Sequence, residues 1–93
     1  MRIGIPKEVK SNEFRVSVTP SGVAELVHRG HDVVVEKSAG VGSSFSDEEY
    51  IEAGATMVDT ADDVWKHGDL IVKVKDPIAE EFHRMRPHQV LFT

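Results

Sequence analysis

The 93-residue chain contains no cysteine. That excludes disulfides, thiolate metal sites and a cysteine nucleophile together. Positive charge is the next scarcity: 11 Lys and Arg stand against 16 Asp and Glu, a formal net charge of −5. Nucleic acids and anionic membrane surfaces are held by basic footprints, so neither is an expected partner. Long apolar runs are missing too, and none approaches the ~18 residues needed to span a bilayer. The opening MRIGIPKEVK lacks the apolar core of a secretory signal. The expectation is a cytoplasmic protein without a membrane partner. Internal repeats and low-complexity tracts are also absent.

What is present fits one small globular domain. A chain this short buries only ~60–65% of the surface its unfolded form exposes, so the core is expected to be modest. Strand and helix signals alternate along it. Arg2–Ile5 reads as a strand closed by Pro6, and Thr19-Pro20 as an N-cap with proline at the first helical position. Val23, Leu26 and Val27 then recur at helical spacing up to Gly30, and Val33–Glu36 is a β-branched strand. A Gly/Ser loop leads to a capping box at Ser46–Glu49 and a short helix, followed by a weak strand at Thr56–Val58. Thr60 caps a helix carrying Val64 and Trp65 that ends at Gly68. Leu70–Val74 is the strongest strand, Asp76-Pro77 starts a helix with Ile78, Phe82 and Met85, and Val90–Phe92 opens a fifth strand. Trp65 and Phe82 are expected on the core faces of their helices.

This alternation predicts an α/β fold, a mostly parallel sheet with helices on both faces, like half of a flavodoxin or Rossmann domain. The last residues, HQVLFT, stop inside an apolar run, which predicts a domain incomplete at its C-terminal end. Ligands of such sheets sit beyond the carboxyl ends of the strands.

Two places there carry chemistry. Lys7–Thr19 is a long polar connection with Arg15 in it, and long connections are often functional. Arg15 reads either as a bidentate carboxylate clamp or as a surface arginine paired with Glu8 or Glu13. The second place is LIVKVKDP, residues 70–77, which puts two lysines into an otherwise apolar strand. Lys75, at the strand end, reads as a ligand-binding or acid–base lysine with a pKa lowered by burial beside other cations. The alternative is an edge-strand lysine that blocks aggregation. Lys73 lies one pleat deeper and is expected to pair with a carboxylate.

Other signals are weaker. Gly40-Val-Gly42-Ser-Ser-Phe45 follows a strand and precedes a helix, yet Phe45 stands where a dinucleotide fingerprint needs its third glycine. It reads as a turn. His28, His31, His67, His83 and His88 show no ligand spacing, so no metal site is expected. The serines lack a nucleophile-elbow context.

The stretch GIPKEVKSNEFRVSVTPSGVAELVHRG closely resembles the opening signature of the alanine dehydrogenase and pyridine nucleotide transhydrogenase family. Gly4, Pro6, Glu8, Asn12, Glu13, Arg15, Val16, Thr19, Pro20, Val23, Leu26 and Gly30 fall in register with it, and Ser17 replaces a usual alanine. The resemblance runs over the whole chain. Lys-Val-Lys-acid-Pro is similar to the alanine dehydrogenase branch, whereas transhydrogenase α-subunits usually carry a neutral residue where Lys75 stands.

The resemblance implies the N-terminal part of a substrate domain over residues 1–93, in an oxidoreductase that interconverts L-alanine with pyruvate and ammonia using NAD. Arg15 and Lys75 are implied to bind the substrate, Arg15 at its carboxylate, with Lys75 also catalytic. No cofactor-binding residue is expected in this chain. The family's NAD-binding Rossmann domain, catalytic histidine and acid–base aspartate lie outside it, so the isolated chain is expected to be inactive. The full-length form is implied to be a homo-oligomer, a hexamer. Two alternatives stay open: a transhydrogenase α-subunit, and a non-catalytic module that captures small carboxylates. Pyruvate and a neighbouring keto acid such as glyoxylate are not told apart.

Overall fold

The computed structural model describes residues 1–93. Five strands, β1 (Arg2–Ile5), β2 (Asp32–Glu36), β3 (Thr56–Val58), β4 (Leu70–Val72) and β5 (Val90–Phe92), form one sheet in the order β3-β2-β1-β4-β5. Every neighbouring pair is parallel, with Ile3 opposite Val33 and Gly4 opposite both Val34 and Ile71. Helices α1 (Pro20–His28), α2 (Asp47–Glu52), α3 (Ala61–His67) and α4 (Ala79–Phe82) fill the connections.

The pleat divides the core in two. Ile3, Ile5, Val33 and Val35 turn one way and pack with Val23 of α1 and Tyr50 of α2. Ile71 turns the other way and meets Val64 and Trp65 of α3. Helices therefore cover both faces, as expected. Gly4 is required by the second contact: a Cβ there would lie 2.9 Å from Val64 Cγ1 and from Ile71 Cδ1. The caps read from the sequence form as well. Thr19 accepts from the Gly22 amide, Thr60 from the Asp63 amide, and Ser46 and Glu49 close a reciprocal box. At the other end of α3, Arg86 and Gln89 donate to the carbonyls of Trp65 and Gly68. These bonds satisfy carbonyls the helix leaves unpaired and pin the approach to β5.

Two expectations need correction. The strand expected over Leu70–Val74 ends at Val72. The Lys73 amide still bonds to the Phe92 carbonyl, but the amides of Val74 and Lys75 turn to the carboxylate of Glu8, at 3.0 and 3.2 Å. The side chain outcompetes the ladder and bends the chain. The helix after Pro77 is only one turn long, and Phe82 is 56% exposed rather than in the core. The inward residue is Glu81, which accepts from the Ile78 amide and from Lys73.

Candidate functional site

Connections leave the sheet in opposite directions from β1, toward β2, and from β4, toward β5. The crevice between their carboxyl ends is a topological switch point, where open α/β sheets bind ligands. Residues 7–19 after β1 and 73–78 after β4 meet there. A cleft of about 530 Å³ lies alongside, with Lys7, Glu8, Glu13 and Arg15 on one wall and Ser38, Val41 and Gly42 on the other.

The long β1–α1 connection is tied at several points. The Lys7 amide donates to Glu36 Oε1 at 2.9 Å, and burial pushes the Glu36 carboxyl above its usual range. Ser17 Oγ donates to the Val72 carbonyl and Tyr50 Oη to the Val18 carbonyl, both at 2.7 Å. Ser43 Oγ donates to the Phe14 carbonyl at 3.2 Å. Gly42 makes that approach possible, because a Cβ there would stand 2.5 Å from the Phe14 oxygen.

Two clusters of charge share the crevice. In the inner one, Lys73 Nζ lies 3.2 Å from Glu8 Oε1 and 3.1 Å from Glu81 Oε2, with all three side chains 1% exposed. Lys73 thus pairs with carboxylates as its deeper position suggested. In the outer one, Arg15 grips Glu13 side-on: Nε and Nη2 each donate at 2.9 Å, and the Arg15 amide adds a third bond at 2.9 Å. Lys75 Nζ stands 3.9 Å from the same carboxylate. Glu13 is 5% exposed, but Arg15 is 67% and Lys75 46% exposed. The Arg15 side chain, then its amide, hold the Glu13 carboxyl down at about 2. The same ion pair raises the Arg15 guanidinium above its usual value.

The structure therefore brings Arg15 and Lys75 together through a shared carboxylate. The Arg15–Glu13 pairing considered from the sequence is real, and it lies in the cleft. Lys75 is half-exposed beside an anion, so the burial among cations expected for it is not what is found. Sequence reasoning gave no role to Glu81, and Glu8 and Glu13 appeared only as alternative partners for Arg15. Their depth depends on how the β1 and β4 loops meet, and nothing local in the chain signals that.

The segment Gly40–Phe45 forms a 3₁₀ turn over Val41–Ser43. A Cβ on Gly40 would meet the Tyr50 ring at 2.6 Å and Phe45 Cβ at 2.9 Å. Both loop glycines are thus used up by contacts within the chain and leave no open cradle for a pyrophosphate. This loop does not fit the pyrophosphate of a dinucleotide. No group of three or more His, Asp or Glu is placed to hold a metal ion. No helix is long and apolar enough to cross a membrane.

With this geometry in place, comparison with known proteins is direct. The family described as alanine dehydrogenase/PNT, N-terminal domain, matches residues 4–93. The chain belongs to that family. An alanine dehydrogenase from Mycobacterium tuberculosis is 56% identical over 93 residues, 100% of this chain and 25% of that relative. One from Methanococcus maripaludis is 50% identical over the same span, again 25% of its length. A solved L-alanine dehydrogenase superposes with a TM-score of 0.95 at 46% identity, covering 98% of this chain and 25% of that one. A transhydrogenase from Sinorhizobium meliloti gives 0.90 at 40% identity, covering 98% and 27%. The chain thus spans about a quarter of the length of the curated relatives it matches. It is the N-terminal domain of alanine dehydrogenase-type proteins.

Proposed function

We propose that these residues form the N-terminal part of the substrate domain of an NAD-dependent L-alanine dehydrogenase. The overall reaction converts L-alanine, NAD⁺ and water to pyruvate, ammonium, NADH and a proton, and is reversible. The observation that carries the reading is the pair of exposed cations, Arg15 and Lys75, gathered at one carboxylate in the switch-point crevice. Glu13 occupies the Nε/Nη2 edge of Arg15 and leaves Nη1 without a protein partner. A guanidinium has a second edge, Nη1/Nη2, that accepts another carboxylate in fork geometry. The substrate carboxylate binds there. Lys75 donates to the substrate's carbonyl oxygen or carboxylate and stabilises negative charge that develops on that oxygen.

NAD belongs to a Rossmann domain outside these residues, in keeping with the lack of a dinucleotide cradle. The 93-residue chain alone neither turns over alanine nor binds NAD. The full-length enzyme is a cytoplasmic homo-oligomer, a hexamer. Steady-state NADH oxidation by the full-length protein with pyruvate and ammonium tests the reading, beside the same assay on the isolated chain. Pyruvate-dependent oxidation by the former alone is expected. Activity of the isolated chain would overturn the division of labour.

A second reading, a transhydrogenase α-subunit, draws on the shared fold of the Sinorhizobium meliloti protein. It requires no keto-acid site, so pyruvate binding by the full-length protein would exclude it.

A further inference from the structure

The outer cluster has a charge count that bears on which keto acids the crevice accepts. Arg15 and Lys75 bring two positive charges and Glu13 brings one negative charge to the same point. The inner cluster supplies no further positive charge, because Lys73 is enclosed between Glu8 and Glu81 and the trio is net negative. Lys7 and Lys10 line the neighbouring cleft but form no ion pair with this cluster, whose contacts are those of Arg15 and Lys75 with Glu13. One unit of positive charge is therefore left unmatched in the outer cluster, enough for one carboxylate. Hydrogen bonding gives the same count. Glu13 takes one of the two fork edges of Arg15, at 2.9 Å from both Nε and Nη2.

We infer that Glu13 is a specificity-determining residue: it consumes the second carboxylate-binding capacity of Arg15 and Lys75 and so restricts the crevice to 2-oxo monocarboxylates. A 2-oxo diacid would bring a second negative charge next to a carboxylate that is 5% exposed and held by three hydrogen bonds from Arg15. That carboxylate stays ionised throughout the neutral range, since the Arg15 contacts hold it at about 2. Specificity here comes from an element that repels the wrong substrate as well as one that attracts the right one.

The inference rests on the proposed dehydrogenase reading, and the test separates the two. The full-length enzyme, its Glu13→Gln variant and its Glu13→Asp variant are assayed for NADH oxidation with ammonium and either pyruvate or oxaloacetate. The wild type is expected to use pyruvate and to discriminate against oxaloacetate. Like-charge juxtaposition is costly enough that Glu13→Gln is expected to raise the oxaloacetate-to-pyruvate ratio of kcat/KM by about tenfold or more. Glu13→Asp keeps the charge and is expected to keep the wild-type ratio even if both rates fall. A mere loss of stability would lower both rates without moving their ratio.

An unchanged ratio in Glu13→Gln, or an equal relaxation in Glu13→Asp, would overturn the inference while leaving the dehydrogenase reading intact. A wild type inert to pyruvate would overturn that reading and this inference with it. Competition on the wild type decides the matter if Glu13→Gln does not fold. Propionate is expected to inhibit pyruvate reduction more strongly than malonate, and the reverse order would overturn the inference.

Discussion

Lys73 and Lys75 are two residues apart in one loop, and both face carboxylates, yet they sit in opposite physical regimes. Lys73 is 1% exposed between two glutamates that are equally buried. Lys75 is 46% exposed and 3.9 Å from its one carboxylate, which is mainly engaged by Arg15. The inner trio has more negative than positive charge, and Glu8 spends its remaining acceptor capacity on the amides of Val74 and Lys75. The outer trio has more positive than negative charge and keeps donors unspent. A buried ion cluster with every partner filled can set backbone geometry but has nothing left to offer a ligand. An exposed one with unfilled donors can bind. The inner cluster thus shapes the bend on which Lys75 is carried, and the outer cluster keeps the free donors on which the proposed recognition rests.

This contrast is broken most directly at Lys73. Lys73→Ala removes the one cation between two buried carboxylates, and breaking a buried ion cluster in this way typically costs about 3–5 kcal/mol. Urea denaturation should show the folding midpoint falling sharply, while Lys75→Ala leaves it near the parent value. Equal small losses from both substitutions would mean that the buried cluster is not the structural one.

The converse experiment follows substrate. In the full-length enzyme, Arg15→Ala should weaken pyruvate affinity by about 10–100-fold, the loss of a charge-assisted fork contact. Thermal stability should fall modestly, and by less than in Lys73→Ala, because Glu13 loses its Arg15 side-chain bonds while the arginine itself is 67% exposed. Lys75→Ala should lower kcat more than it raises KM if its ammonium acts on charge that develops during reaction. An unchanged pyruvate affinity in Arg15→Ala would reassign that residue to holding Glu13. A pure KM effect in Lys75→Ala would confine the lysine to binding.

Much of this was legible from the chain. Caps, β-branched runs and helical spacing located all five strands and the helices, since each depends on residues a few positions apart. The place of Lys75 beyond the carboxyl end of β4 and the loop position of Arg15 follow from the same local signals. The inner cluster did not. Glu8 and Glu81 are 65 and 8 residues from Lys73, and their burial depends on the β1 and β4 loops meeting across the switch point. Missing them produced both corrections to the fold. Val74 reads as strand within its apolar run, whereas its amide bonds to Glu8. Phe82 reads as a core residue from its helical spacing with Ile78 and Met85, whereas the one-turn helix turns Glu81 inward to reach Lys73. A buried charge defeats pattern reading when the partner that stabilises it is distant in sequence.

The gentlest separation of the two clusters is by acid. Glu13 titrates at about 2 in the folded chain against an ordinary 4.5, chiefly because the Arg15 side chain donates to its ionised form. A carboxyl depressed on folding contributes stability that is fully present above its unfolded value. That contribution fades as the pH falls from about 4.5 toward 2. Glu13→Gln cannot titrate, so over this window it should lose less stability than the parent, as followed by circular dichroism in urea at stepped pH. Lys75→Ala should track the parent closely, since the lysine is the least of the influences on Glu13. If Glu13→Gln and parent fall in parallel, the Arg15–Glu13 contact is not coupled to folding. The outer cluster would then assemble on a framework already complete without it, and the contrast with Lys73 would be sharper still.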